Sequence, residues 1–411
     1  MDSAIKYSAS SQSSHAASNV STMPRTVHLW TPGLFDFKGG IQVYSGFLLE
    51  ALQNSVPQTH YDVFSLHDRP PTSSSNTQAH LLNSRSSVSK NVQLHYSGFF
   101  PRSVRIPCFA SQVFSAGLWH RPDLVIATHL NFTIAAHQLK QLTGIPYWTV
   151  AHGFEAWDIQ RPALQKALAN ADRILAVSHY TRDRLLQEQS LDPAKVDVLS
   201  NTFDAQRFRV AAKPEQLLQQ YGLTADQPII LTVNRLAAGE SFHSYDQILA
   251  ALPTIRQACP TAHYMIVGKG DDRLRLEQYI AEHQLQDCVT LAGFISDEEL
   301  PDYYNLCDVF AMPSKLEGFG IVYLEAMASG KPVVGGYDGA MDALQGGQLG
   351  ALVNPDDVNA IAQTLIQILQ GTHPNPLLYQ PLALREAAIQ AFGFDRFQQN
   401  VFNLLEQFST P

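Results

Sequence analysis

Cysteine is scarce in the 411 residues: Cys108, Cys259, Cys288 and Cys307 are widely scattered, with no C-x-x-C and no His/Cys spacing of a zinc site. The simplest reading is reduced thiols in a cytosol. Basic charge is short too, with 28 Lys and Arg against 37 Asp and Glu, a net charge of -9 and a pI near 5.9. That balance argues against a nucleic-acid partner, for which a clustered basic excess is expected. No run of about 18 apolar residues exists, so nothing reads as a membrane span. Residues 1–22 are rich in Ser and Ala, lack the apolar core of a signal peptide, and read as a disordered tail. There is no HExxH and no in-register D-x-D to hold a divalent metal on a diphosphate, so chemistry without metal is expected. "GKGDDR" and "GFGIVY" both miss the third glycine of G-x-G-x-x-G, which removes support for a dinucleotide oxidoreductase.

What is present is 45% hydrophobic residues in a chain long enough for two domains. Short apolar runs alternate with helical patterns, the habit of parallel sheets built from βαβ units. Strands are expected over 26–30, 61–65, 124–128, 147–151, 173–177 and 196–199, and a second series over 229–233, 262–267, 289–292, 309–312, 332–335 and 351–353. Helices are expected between them, among them 244–255 and 273–283. A turn-rich connector, 201–228, separates the series, and 72–89, rich in Ser, Asn and Thr, reads as a surface loop. The domains are accordingly 23–205 and 206–390, with a last helix, 391–411, placed to pack back toward the first. Two such domains leave a cleft, because open parallel sheets bind ligands outside the carboxyl ends of their strands.

The stretch "SKLEGFGIVYLEAMASGKPVV", 314–334, places Glu317 on a glycine-rich turn and Glu325 inside an apolar helical run. A charge buried without a partner costs several kcal/mol, so the pattern asks for a polar ligand or an internal partner. A strand runs into the turn and a helix begins near Ile321, leaving the N–H groups of Gly320, Ile321 and Val322 directed at an anion. Glu325 could then accept the hydroxyls of a ribose, and Glu317 those of a sugar beyond the phosphates. The plain alternative is an exposed Glu317 and a Glu325 paired with a buried base.

This stretch carries an E-x7-E motif, "EGFGIVYLE". With "GGIQVYSGFLLEAL", "AHGFEAW", "ILAVSHYTRDRL", "LSNTFDAQRF", "TVNRLAAGE" and "MIVGKGDDRLRLE", in this order, the sequence resembles the retaining nucleotide-sugar glycosyltransferases of family 4 from about Val27 to Phe408. The resemblance implies a GT-B fold: α/β, two Rossmann-like domains with parallel sheets facing across a cleft. It implies transfer of a hexose from a nucleoside-diphosphate sugar, UDP-glucose by family frequency, to an acceptor hydroxyl, with no further cofactor. It also implies roles. Gly40 lets backbone close on the donor phosphates; His152 lies near the transferred sugar; Arg235 pairs with the diphosphate; Phe294 and Ile295 hold the base. Phe319, Gly320, Ile321 and Val322 form the turn at the phosphates, Glu325 takes the ribose and Glu317 the donor sugar.

One departure stands out. Relatives carry a lysine a few residues after the arginine as second diphosphate cation, where "SFHSYD" has His243. His243 as imidazolium, Lys269 from the next loop, or Arg235 alone can supply the charge. Acceptor-side candidates are His129, Asn131, Asp158, Tyr180 and Arg182, with Arg102 and Arg105 in the aromatic-rich segment "HYSGFFPRSVRIPCFASQVF". That segment reads either as loop and core helix at the sheet edge or as an acceptor- or membrane-facing surface. The acceptor is a soluble sugar phosphate, such as fructose 6-phosphate, or a lipid-linked sugar, and any membrane contact is peripheral, from the cytoplasmic side. A paired-carboxylate glycosidase is disfavoured because both acids lie on one turn-helix unit. An epimerase, a phosphorylase and a non-catalytic sugar-nucleotide sensor share the architecture without a motif in their favour.

Overall fold

The computed structural model describes residues 23–35, 39–70, 91–239 and 245–408; the expected tail 1–22, the loop 72–89 and His243 lie outside them. The first half carries β1 (Thr26–Thr31), β2 (His60–Ser65), β3 (Val92–Tyr96), β4 (Leu124–Ala127), β5 (Tyr147–Ala151), β6 (Arg173–Ala176) and β7 (Val196–Val198). They form one parallel sheet in the order β3-β2-β1-β4-β5-β6-β7. The second half carries β8 (Ile229–Val233), β9 (His263–Val267), β10 (Val289–Gly293), β11 (Val309–Met312), β12 (Val333–Gly335) and β13 (Ala351–Leu352), parallel throughout, in the order β10-β9-β8-β11-β12-β13. Both sheets are doubly wound. The order reverses between β1 and β4 in one and between β8 and β11 in the other, and ligands bind at such crevices.

Central strands β4, β5, β9 and β11 are buried along their whole length, because helices cover both faces. β3 is an addition to the sequence reading. It is an edge strand, VQLHY, with no fully buried residue, so it has no apolar run to betray it. The aromatic-rich segment becomes helix Arg102–His120, which buries only Phe109, Val113 and Gly117. Gly117 is there for closeness: a Cβ would fall 2.4 Å from Leu139 Cδ2.

Helix Phe394–Phe408 lies on helix Gly40–Ser55 of the first domain, with Tyr44 edge-on to Phe397 and Trp148 edge-on to Phe408. Its ends are tied by Asn54 Nδ2 to Gln398 Oε1 (3.2 Å) and Arg173 Nη1 to Gln407 Oε1 (3.0 Å). The chain therefore crosses between domains twice, and the crossings are adjacent: Thr202 Oγ1 donates to Phe392 O at 2.8 Å. Beside them the Arg385 guanidinium donates to the carbonyls of Ala205, Phe208 and Ala328.

Candidate active site

The site is assembled where the two switch points face one another. On the second domain, β11 ends in the turn that carries Glu317, and Gly320, at φ 84°, starts helix Ile321–Ala328. A left-handed residue at that point favours glycine. The turn is held from below by a residue the sequence reading missed. Asp338 Oδ2 accepts Glu317 N–H at 2.7 Å, its Oδ1 accepts Ala340 N–H at 3.0 Å, and Gly339 N–H donates back to Glu317 O at 3.0 Å. Burial, aided by the Glu317 charge, pushes the Asp338 carboxyl up to about 7 against the pull of those two N–H donors. The local signal for it, an Asp capping "GAMDA", was present in the sequence, but nothing in one dimension shows that it reaches Glu317.

Glu325, half-buried one turn into the helix, accepts the Tyr304 hydroxyl at 2.8 Å. A phenol is thus among its partners. A carboxylate has roughly four acceptor positions, and the phenol takes one of them. The Phe319 ring is buried against Phe392, 5.5 Å between centroids, and the Phe319 N–H donates to Glu317 Oε1 at 3.5 Å. The first N–H groups of the helix, at Ile321 and Val322, have no partner within it by helix geometry.

Arg235 follows β8 and Lys269 follows β9; both are exposed. Lys269 Nζ lies 4.3 Å above the ring of Phe294, itself 66% exposed, with Ile295 next to it half-buried. That puts Lys269 at the end of the site expected to take the base. Gly268 and Gly270 allow these loops to touch, since a Cβ at either would lie 1.8 Å from a carbonyl oxygen, of Asn234 and Leu236 respectively. Asn234, next to Arg235, has both side-chain polar atoms buried without a hydrogen bond among the described residues, a second residue the sequence reading missed.

On the first domain, His152 directly follows β5. Its Nε2 donates to Thr128 O at 2.8 Å, so the neutral ring carries its lone pair on Nδ1, and its N–H donates to Glu155 Oε1 at 2.6 Å. Burial holds the imidazole down to about 4 despite the carbonyl, so His152 is uncharged at neutral pH. Tyr44 packs edge-on to it at 5.1 Å. Burial also lowers His129, at 6.5 Å from His152 between ring centroids, and raises Glu155. Asn131 N–H donates to His129 Nδ1, so these two share the β4 end.

The two domains touch through glycine. A Cβ on Gly318 would lie 1.8 Å from His152 O and one on Gly153 would lie 2.6 Å from Gly318 Cα; within the second domain, one on Gly339 would lie 2.3 Å from Gly318 C. Gly40 faces Ile321, whose Cδ1 is 4.0 Å from where a Cβ would stand. To one side Asp342 accepts the N–H groups of His179 and Tyr180, each at 3.2 Å, and contacts His179 Nδ1 at 2.6 Å. An acid of the second domain thereby caps helix His179–Glu188 of the first.

His152, with His129 beside it, thus faces the turn that carries Glu317, and Gly40 faces the start of the helix that carries Glu325. Most of the remaining acceptor candidates have partners of their own. Asp158, at φ 50°, accepts Gln160 Nε2 and donates its N–H to Glu188. Tyr180 packs on Trp157, and Arg182 donates to Val196 O and pairs with Asp183. Arg105 donates to Gly98 O and Phe100 O, and Arg102 is exposed on the same edge helix. The cysteines are free, three of them buried, and no helix among the described residues is long and apolar enough to cross a membrane.

Comparison with known proteins bears on the family and the fold. Residues 38–207 match the family described as Glycosyltransferase Family 4, and residues 214–385 match Glycosyl transferases group 1. A GDP-mannose-dependent alpha-(1-6)-phosphatidylinositol monomannoside mannosyltransferase of Mycolicibacterium smegmatis is 33% identical over 234 residues, 53% of this chain and 59% of that protein, so the match spans little more than half of the relative. Among solved structures, HepE of Anabaena in complex with UDP-glucose superposes with a TM-score of 0.73 at 20% identity, covering 93% of this chain and 99% of that one. Sucrose-phosphate synthase of Thermosynechococcus elongatus does so with a TM-score of 0.73 at 22% identity, again covering 93% and 99%. Two family descriptions divide the chain where its two sheets divide, and the fold has the same neighbours: this chain belongs to the family 4 glycosyltransferases and has their GT-B fold.

Proposed function

We propose that the protein transfers a hexosyl unit from a nucleoside-diphosphate sugar to a membrane-borne sugar acceptor, with retention and without a metal. The observation that carries the transfer is the glycine contact between the Glu317 turn and the His152 loop, which leaves a donor sugar between a carboxylate and a neutral imidazole. Glu317 accepts sugar hydroxyls, Nδ1 of His152 accepts another, and Glu325 accepts the ribose. Arg235 and the start of helix Ile321–Ala328 stabilise the charge that grows on the departing diphosphate. The bond from the anomeric carbon to phosphate breaks, that carbon bonds the acceptor oxygen on the same face, and the acceptor proton passes to the leaving phosphate. No side-chain nucleophile is needed.

The acceptor reading rests on helix Arg102–His120. As the first helix after β3 it begins at the carboxyl edge of the sheet, the edge that carries His129 and His152. It exposes Val104, Ile106 (68%), Leu118 and Trp119 (88%), with Phe99 (57%) just before it and Arg102 at its start. Apolar side chains beside a cationic start suit an anionic lipid surface. A sugar-phosphate pocket fits less well, because Arg105 and Arg182 already serve backbone carbonyls. The relative from Mycolicibacterium smegmatis is named for a phosphatidylinositol mannoside acceptor, which points the same way.

The test is release of nucleotide from UDP-glucose and GDP-mannose with either a lipid-linked sugar in anionic vesicles or fructose 6-phosphate. Release with the lipid-linked acceptor, lost together with vesicle co-sedimentation in Ile106→Ser/Trp119→Ser, is the expected result. Release with fructose 6-phosphate alone would restore the sugar-phosphate reading, and binding without release under any acceptor would indicate a sensor. For the second cation we favour His243. Turnover should then fall above neutral pH and His243→Lys should remove the fall; an unchanged profile would assign the charge to Lys269 or to Arg235 alone.

A further inference from the structure

On the face of the seven-stranded sheet beneath helix Arg102–His120, four histidines surround one carboxylate. β1 and β2 pair His28 with Asp62 across the sheet. Asp62 Oδ2 has His28 Nε2 at 3.5 Å, His60 Nε2 at 3.7 Å and His120 Nδ1 at 3.8 Å, while its Oδ1 bonds His95 Nε2 at 2.7 Å. The donor atoms of His28, Asp62 and His120 all lie within 4.8 Å of one another. His28 is fully buried, and neither of its ring nitrogens has a hydrogen-bond partner among the described residues. A buried imidazole left so is costly, and proteins rarely keep one without a reason.

We propose that His28, Asp62 and His120 bind a first-row divalent cation, Zn2+ by preference, leaving a fourth position that His60, 3.7 Å from the same carboxylate oxygen but outside their 4.8 Å cluster, would reach by turning its half-exposed ring. The spacing suits it. Tetrahedral Zn2+ with bonds of about 2.0–2.1 Å sets donors about 3.3–3.5 Å apart, and the His28 and His120 nitrogens already lie 3.5 and 3.8 Å from the shared oxygen. Imidazoles with one carboxylate select zinc and its transition-metal neighbours over Mg2+ or Ca2+, which prefer oxygen alone. His95 has the part of an outer partner: it holds the second carboxylate oxygen and is itself fixed by stacking on Phe64, 4.4 Å between centroids at 9°. The ligands come from β1, the start of β2 and the end of a helix, separated by whole βα units, so no linear spacing announces them.

The ion would be a clamp and not a catalyst, since its ligands lie within the strands and not at their carboxyl ends. It would tie the outer helix, by its last residue, to the strand that leads into the Gly39–Gly40 turn at the cleft.

The experiment uses the whole, untagged protein stripped with a chelator, then titrated with Zn2+ and with Co2+. One equivalent should bind at micromolar free metal, the melting temperature should rise, and Co2+ should give the intense visible bands of a tetrahedral site. The His60 and His120 side chains are nearly half exposed, at 44% and 47%, so their removal should not unfold the chain. His120→Ala should weaken binding by at least about 100-fold with the metal-free melting temperature unchanged, and His95→Gln by about 10–100-fold as an outer partner. No binding at micromolar free Zn2+, or a His120→Ala protein that binds as the wild type does, would overturn the proposal.

Discussion

Gly318→Ala is expected to lower glycosyl transfer by about 100-fold or more while leaving affinity for free UDP within a few-fold of wild type. The added Cβ would stand 1.8 Å from His152 O and 2.8 Å from its carbonyl carbon, both backbone atoms of the opposite domain. Backbone cannot swing aside as a long side chain can, so the domains must part by an ångström or more. A misplacement of that size at a reacting centre costs on the order of 100-fold in rate. The UDP contacts expected at Glu325, Arg235 and the start of helix Ile321–Ala328 all belong to one domain, and parting leaves them in place. Steady-state transfer kinetics beside calorimetry with UDP separate the two effects. Wild-type turnover in this variant would mean that the glycine contact is incidental to the reaction.

The two glutamates should separate as cleanly. Glu325→Ala should weaken UDP binding by about 10–100-fold, the loss of charge-assisted bonds of about 1.5–3 kcal/mol. It should also lower the melting temperature, because the Tyr304 hydroxyl is left buried without its acceptor, a loss of about 1–3 kcal/mol. Glu325→Gln keeps an acceptor for Tyr304 and should recover the melting temperature but only part of the affinity. Glu317→Ala keeps the backbone N–H that Asp338 accepts, so the turn persists. It should spare UDP binding and cut transfer. Normal binding and turnover in both would return the pair to ordinary charges on a turn and a helix.

What could be read in the sequence follows the physics of each element. β4, β5, β8 and β11 were plain because strands covered on both faces must be continuously apolar, and the E-x7-E stretch because glycines and charges interrupted such a run. β3 was not, since an edge strand has no need of an apolar face. Glu317 and Glu325 were found through their position on a turn and a helix, whereas Asp338, Asn234 and the histidines around Asp62 matter through contacts between segments far apart in the chain. The edge helix was ambiguous for a further reason. Its buried stripe of Phe109, Val113 and Gly117 is narrow, and an apolar residue facing lipid looks the same in sequence as one facing a core.

The paired crossings at Thr202 and Phe392 carry a mechanical consequence. Two domains joined by one strand of chain can swing, twist and slide, but two strands side by side, bolted together by Arg385, act as the spine of a book. The covers then have a single easy motion. Substrate entry and product escape become one opening angle, shared by every contact at the far margin, so that the glycines there and the Asp342 latch must engage and release together.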